Sequence, residues 1–217
     1  MNIQSILHQT KLYVQGLFTE FEGSHDFEHI KRVFQTAMRL AEIEHADRLI
    51  VGLAALLHDV ADPKHNEGDE AKGLLKVASF LHSLQIPDHI SDAVVFIIQH
   101  MSFKDSFHFN QEKSVEFQVV QDADRLDAIG AIGIARAFAY GGYKKQAIYR
   151  TNEQVARFRN KQEYQQHQGS TINHFYEKLL LLKDQMNTNT AKRIAEERHA
   201  FMLAFLEQFY SELNWQE

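Results

Sequence analysis

Apolar residues recur along almost the whole chain at intervals of three and four, the spacing that lines one face of an α-helix. Ile6, Leu7, Tyr13, Val14 and Leu17 form the stripe of a first helix that ends near the Gly23 break. A second carries Ile30, Val33, Phe34, Ala37, Leu40 and Ala41, with Ser24 or Asp26 placed to cap it. The third holds Leu49, Ile50, Leu53, Leu56 and Leu57 and stops near Asp62, because Pro63 disfavours helical geometry in the residue before it. The same periodicity predicts helices near 68–84, 88–101, 112–127 and 128–139, then a break at Gly141-Gly142 and helices near 151–164, 170–186 and 188–213. No segment sustains period-two alternation. The expected class is all-α: one domain over residues 1–217, with a helical core at about 24–140 and further C-terminal helices at about 150–213.

Composition agrees and narrows the chemistry. Only 2 prolines and 10 glycines interrupt 217 residues, too few for a fold rich in tight turns. There are no cysteines, which removes disulfides, thiolate metal sites and cysteine nucleophiles. With 13 histidines beside 29 acidic residues, imidazole nitrogen and carboxylate oxygen are the strong metal ligands available. The formal charge of −6 argues against nucleic-acid binding through a broad basic surface. The first residues lack the pattern of a secretory signal, and no apolar run approaches the roughly 18 residues of a membrane span. The expectation is a cytoplasmic protein with no membrane partner.

Three stretches carry candidate chemistry. His29, Arg32, Val33 and Thr36 share one helix face, so a ligand and a cation point the same way. In Leu56-Leu57-His58-Asp59-Val60-Ala61-Asp62, an adjacent His-Asp pair ends an apolar helix. A carboxylate buried there costs several kcal/mol unless it is paired or bound to a metal. His58 and Asp59 lie about 100° apart around the axis and can grip one ion from neighbouring directions. In the third stretch Val120, Asp124, Asp127 and Ala131 occupy one face, so two carboxylates line an otherwise apolar stripe. Small residues at Ala128, Gly130, Ala131 and Gly133 permit a close crossing that brings Asp124 near His58. The competing structural reading pairs Asp124 with Arg125 or Arg136 as a salt bridge.

The order His29, His58-Asp59, Asp124, in the contexts SHDFEHIKRV, AALLHDVADPK and VVQDADRLDAIGAIG, resembles the HD-domain metal-dependent phosphohydrolases. IARAFAYGG, NHFYEKLLLLKDQMNT and ERHAFMLAFLEQFY are similar to the bacterial HD subfamily that hydrolyses nucleoside triphosphates to monophosphate and pyrophosphate. The resemblance implies that His29, His58, Asp59 and Asp124 hold one divalent ion. Two neutral imidazoles and two carboxylates balance its charge and suit Mn²⁺, Fe²⁺, Co²⁺ or Ni²⁺ better than the oxygen-preferring Mg²⁺, and Mn²⁺ is the ion expected. A second ion would need histidines among His82, His89, His100 and His108, whose spacing is irregular.

The resemblance also implies that Arg32 contacts a phosphate. Asp62 and His25 are candidates to orient the attacking water or protonate the leaving group, and Lys64, Lys178 and Arg198 are candidates for substrate contacts. Between Tyr143 and Gln162 this acidic chain carries Lys144, Lys145, Arg150, Arg157, Arg159 and Lys161 against Glu153, a local excess of +5 that suggests a basic flap over a triphosphate. The expected reaction is attack of water on a (deoxy)nucleoside triphosphate with pyrophosphate as leaving group, the deoxy sugar being implied by the resemblance alone. A nucleotide monophosphatase of the same fold and a non-catalytic nucleotide- or metal-binding regulator are the alternatives. A homodimer is compatible with the sequence.

Overall fold

The computed structural model describes residues 2–18, 26–102, 111–158 and 161–214, and all regular structure among them is helical. In chain order the α-helices are α1 (Ile3–Leu17), α2 (Phe27–Ile43), α3 (Arg48–Leu57), α4 (Glu70–Ser83), α5 (Asp88–His100), α6 (Val115–Asp127), α7 (Gly130–Tyr143), α8 (Lys161–Gln166), α9 (Thr171–Glu177) and α10 (Asn189–Leu213). Short 3-10 turns cover His58–Ala61, Pro63–His65, Leu179–Leu181 and Lys183–Gln185.

α3 is the hub. Every residue from Val51 to Leu57 is buried, as its nearly unbroken apolar run requires. It packs against α1, α2, α5 and α6. Asp47 caps α3 by accepting the N–H groups of Leu49 and Ile50. After Leu57 the chain tightens into the 3-10 turn that carries His58 and Asp59, and Pro63 opens the next one. The apolar core is shared from Ile6 in α1 to Leu206 in α10, with Phe175 of α9 stacked on Phe205 of α10 at 5.8 Å between ring centroids.

Four expectations about element boundaries are corrected. α6 begins at Val115 rather than near 112, because the Ser114 hydroxyl accepts the Phe117 N–H and ends the preceding loop. The Gly141-Gly142 pair does not break α7, which runs on to Tyr143; Gly141 instead lets Thr171 approach the helix, where a Cβ would collide with the threonine hydroxyl. No helix covers 151–158; this stretch lies along α9, with the Ala156 N–H donating to Glu177 and the Asn173 amide donating to the Gln154 carbonyl. The helix expected at 170–186 ends at Glu177 and gives way to two 3-10 turns. That geometry places i and i+3 on one side, so Leu179 and Leu182 are both buried while Leu181 faces solvent.

Candidate metal centre

Asp26, the alternative that proves to cap α2, accepts the His29 backbone N–H at 2.8 Å and so sets the angle at which the first turn meets its neighbours. His29 is 1% exposed. Its Nδ1 lies 2.8 Å from Asp127 Oδ2. Two guanidiniums bind the same carboxylate: Arg32 donates from Nε at 2.8 Å and from NH2 at 3.0 Å, and Arg136 donates from NH1 at 2.9 Å. Burial alone would raise the Asp127 pKa, but the hydrogen bonds from His29 and Arg32 and the charge of Arg136 outweigh it and hold the carboxyl far below the usual range. An ionised carboxylate only accepts, so His29 Nδ1 is the donor and Nε2 keeps the lone pair. Burial, supported by the Arg136 charge, lowers the His29 pKa against the pull of Asp127 and Asp59 and keeps the ring neutral.

His58 is oriented by a different device with the same result. Its Nδ1 donates to the Ala55 carbonyl at 2.9 Å, one turn back along the chain, and its Nε2 points at His29 Nε2 at 3.2 Å. Asp59 reaches both rings, with Oδ2 3.6 Å from His29 Nε2 and Oδ1 3.5 Å from His58 Nε2. Asp124 Oδ1 closes the group at 3.5 Å from His29 Nε2 and 4.0 Å from His58 Nε2. The ligand atoms of His29, His58 and Asp59 all fall within 4.8 Å of one another. Adjacent ligands on an ion with bonds of about 2.1 Å lie about 3 Å apart, so the group is a slightly expanded coordination shell.

The donor set fits a divalent cation on chemical grounds. Two imidazole nitrogens with their hydrogens committed elsewhere face the Asp59 carboxylate, and the Asp124 carboxylate lies beside both rings. Burial alone would lower the His58 pKa, but the charges of Asp59 and Asp124 outweigh it and raise it, the mark of a cavity that attracts positive charge. Three of the four side chains are nearly sealed from water, whereas the Asp124 side chain is 34% exposed and marks the open side.

The structure therefore gathers His29, His58, Asp59, Asp124 and Arg32. The competing reading of Asp124 as a salt-bridge partner is not what the structure shows: Arg136 pairs with Asp127, and Arg125 donates to the Gln185 carbonyl. The sequence reading left Asp127 without a role and gave Arg136 the wrong partner. Their signal was present, since a second carboxylate on an apolar stripe needs partners as much as the first. Asp62 caps the 58–61 turn, half-buried, with its N–H on the Asp59 carbonyl. Arg198 donates to the Leu126 carbonyl and lies against Gly130, whose φ of +76° and lack of a side chain permit that approach.

The remaining candidates are less tightly placed. Lys178 ends α9 close enough to His174 for its charge to help lower that ring's pKa. Lys144 lies over the rings of Tyr140 and Tyr143, Arg157 is exposed, and Arg150 pairs with Glu153. Among the second-ion histidines, His82 and His89 are exposed and His100 packs on Phe96. His25, His108, Arg159 and the side chains of Lys64 and Lys161 lie outside the described residues. Among the described residues, no helix is long and apolar enough to cross a membrane.

Comparison with known proteins agrees with this geometry. The HD domain family matches residues 26–129, a span that contains His29, His58, Asp59 and Asp124. YpgQ of Bacillus subtilis, an uncharacterized protein, is 39% identical over 206 residues, covering 94% of this chain and 92% of its own. Its crystal structure in complex with ADP superposes with a TM-score of 0.74. An HD-superfamily hydrolase from Bacillus thuringiensis is 43% identical, with a TM-score of 0.78 over 99% of this chain and 100% of its own. A Lactobacillus plantarum protein is 38% identical, with a TM-score of 0.87 over 98% of both chains. With its ligand order, its all-helical architecture and relatives this similar over nearly their whole length, the chain belongs to the HD-domain superfamily of hydrolases.

Proposed function

We propose that this protein hydrolyses nucleoside triphosphates, deoxynucleotides among them, to the monophosphate and pyrophosphate, using one divalent ion held by His29, His58, Asp59 and Asp124. The observation that carries the reading is the convergence of two imidazole nitrogens and two carboxylates beside Arg32. The ADP complex of YpgQ supports a substrate of nucleotide type.

When bound, the ion supplies Lewis acidity toward a phosphoryl group and lowers the pKa of water. Everything else is asked of side chains. Asp127 fixes the plane of the Arg32 guanidinium through Nε and NH2, which leaves NH1 to receive a phosphoryl oxygen. That charge stabilises the oxygens on which negative charge grows during displacement. Asp62 and His25 orient the attacking water and deliver a proton to the leaving group. Lys64, Lys178 and Arg198 counter the charge of the phosphate chain, and Lys144 and Arg157 on the basic stretch draw the polyanion in.

The test is incubation of metal-stripped protein with deoxy- and ribonucleoside triphosphates and added Mn²⁺, Co²⁺, Ni²⁺ or Mg²⁺, with chromatographic separation of products. The reading expects monophosphate and pyrophosphate in equal amounts, strictly dependent on metal. Orthophosphate released from monophosphates would move the protein to the monophosphatases. Absence of turnover with every metal and nucleotide would leave a binding protein.

A further inference from the structure

Asp124 differs from the other converging ligands in how it is held. His29 is aimed by Asp127 and His58 by the Ala55 carbonyl. Among the described residues, no hydrogen bond holds the Asp124 carboxylate, which lies 3.5 Å from His29 Nε2 and 4.0 Å from His58 Nε2 and is the most exposed of the four side chains. Its aim is therefore set by the rotation of α6. A carboxylate about 6 Å from a helix axis moves about 1 Å for every 10° of rotation, whereas a working site tolerates about 0.5 Å.

The opposite face of α6 is locked with unusual completeness. Asp122, two residues before Asp124 and so about 200° around the helix, is fully buried. Its Oδ1 accepts from the backbone N–H and the side-chain amide of Asn187, both at 2.8 Å. Its Oδ2 accepts from the backbone N–H of Thr188 at 2.8 Å and from the Thr188 hydroxyl at 2.9 Å. Gln121 beside it binds Lys113 and Asn187 and donates to the Met101 carbonyl. The four donors on Asp122 come from the residues that start α10, and Thr188 is the N-cap of that helix.

We propose that Asp122 is a positioning residue for the metal centre: its grip on Asn187 and Thr188 sets the rotation of α6 and thereby aims Asp124 at the ion. The C-terminal helix is then part of the site's construction although it contributes no ligand. The inference rests on the reading of Asp124 as a metal ligand.

The experiment measures Mn²⁺ affinity of the full-length protein by titration calorimetry, alongside thermal unfolding. Asp122→Asn and the milder Thr188→Val are expected to weaken Mn²⁺ binding about tenfold or more, the effect typical of residues that orient ligands. Thr188→Ser, which keeps the hydroxyl, is expected to bind as the wild type does. Ser170→Ala removes the N-cap of α9, and its loss of stability is expected to leave Mn²⁺ affinity unchanged. If Asp124→Asn weakens binding while Asp122→Asn and Thr188→Val do not, the positioning role is overturned and the ligand assignment stands. If Asp124→Asn binds Mn²⁺ normally, the ligand assignment falls and the positioning role with it. An equal loss in Ser170→Ala assigns the effect to general destabilisation and also overturns the role.

Discussion

The Asp127 carboxylate meets the His29 imidazole at 2.8 Å across a sequence separation of 98 residues, and it decides which nitrogen of that ring faces the site. The same carboxylate holds Arg32 and Arg136. One side chain thus sets the tautomer of a metal-ligand candidate and the orientation of a phosphate-binding candidate.

Asp127→Asn is expected to weaken Mn²⁺ binding by about 10–100-fold, because an amide can present a donor to His29 and cannot balance two guanidiniums. Titration calorimetry reads this directly. Wild-type affinity in the variant would show that His29 is aimed by something else.

Asp59→Asn separates the metal contribution from the fold. Crowded carboxylates repel when no cation balances them, so the metal-stripped variant is expected to melt no lower than metal-stripped wild type. The rise in Tm that Mn²⁺ gives the wild type, equivalent to about 2.7 kcal/mol at a hundredfold excess over Kd, is expected to vanish. Differential scanning calorimetry with and without metal checks both halves.

Burial, supported by the charges of Lys178 and His167, pushes the His174 pKa down to about 3. In the unfolded chain it titrates near 6.5, so between these values the unfolded state binds a proton that the folded state refuses. The neutral ring's contribution is complete above about pH 6.5 and is lost progressively as pH falls toward 3. Urea titrations are expected to show about 1–2 kcal/mol of this loss between pH 7 and pH 5, with a flatter profile in His174→Gln. Parallel profiles for the two proteins would remove His174 as the cause.

The tight turns after α9 make a prediction about neighbouring leucines. Leu182 is 1% exposed and Leu181 is 47% exposed. Leu182→Ala is expected to cost about 2–5 kcal/mol and Leu181→Ala about 0.5 kcal/mol or less, measured by chemical denaturation. Comparable losses at the two positions would contradict the burial of Leu182 and the exposure of Leu181.

Much of the fold was readable because long amphipathic helices state their own inward face. α5 and α10 lie close to their predicted spans and α2 and α3 bury the stripes read for them, since apolar stripes, the Asp26 cap and Pro63 are local signals. The region from 150 to 186 was misread for an equally physical reason. Its apolar residues have helical spacing, but Glu177 and Asn173 bind the backbone of residues 154–156, and tertiary hydrogen bonds of this kind override propensity. The basic stretch was visible as charge, yet charge alone did not say that Arg150 is matched by Glu153 or that Lys144 rests on two tyrosine rings.

By itself the sequence determined the helical class, the family likeness and which residues to propose as ligands, because ligand chemistry and helix periodicity are properties of residue type and spacing. Only the tertiary structure decided how those ligands are aimed. Asp127 and Asp122 are both buried acids on α6, and helix periodicity puts them on different faces without naming the partners of either. One faces His29, Arg32 and Arg136, and the other faces Asn187 and Thr188. Which partners satisfy a buried carboxylate depends on what the folded chain brings within about 3 Å, and that is set by packing between segments far apart in sequence.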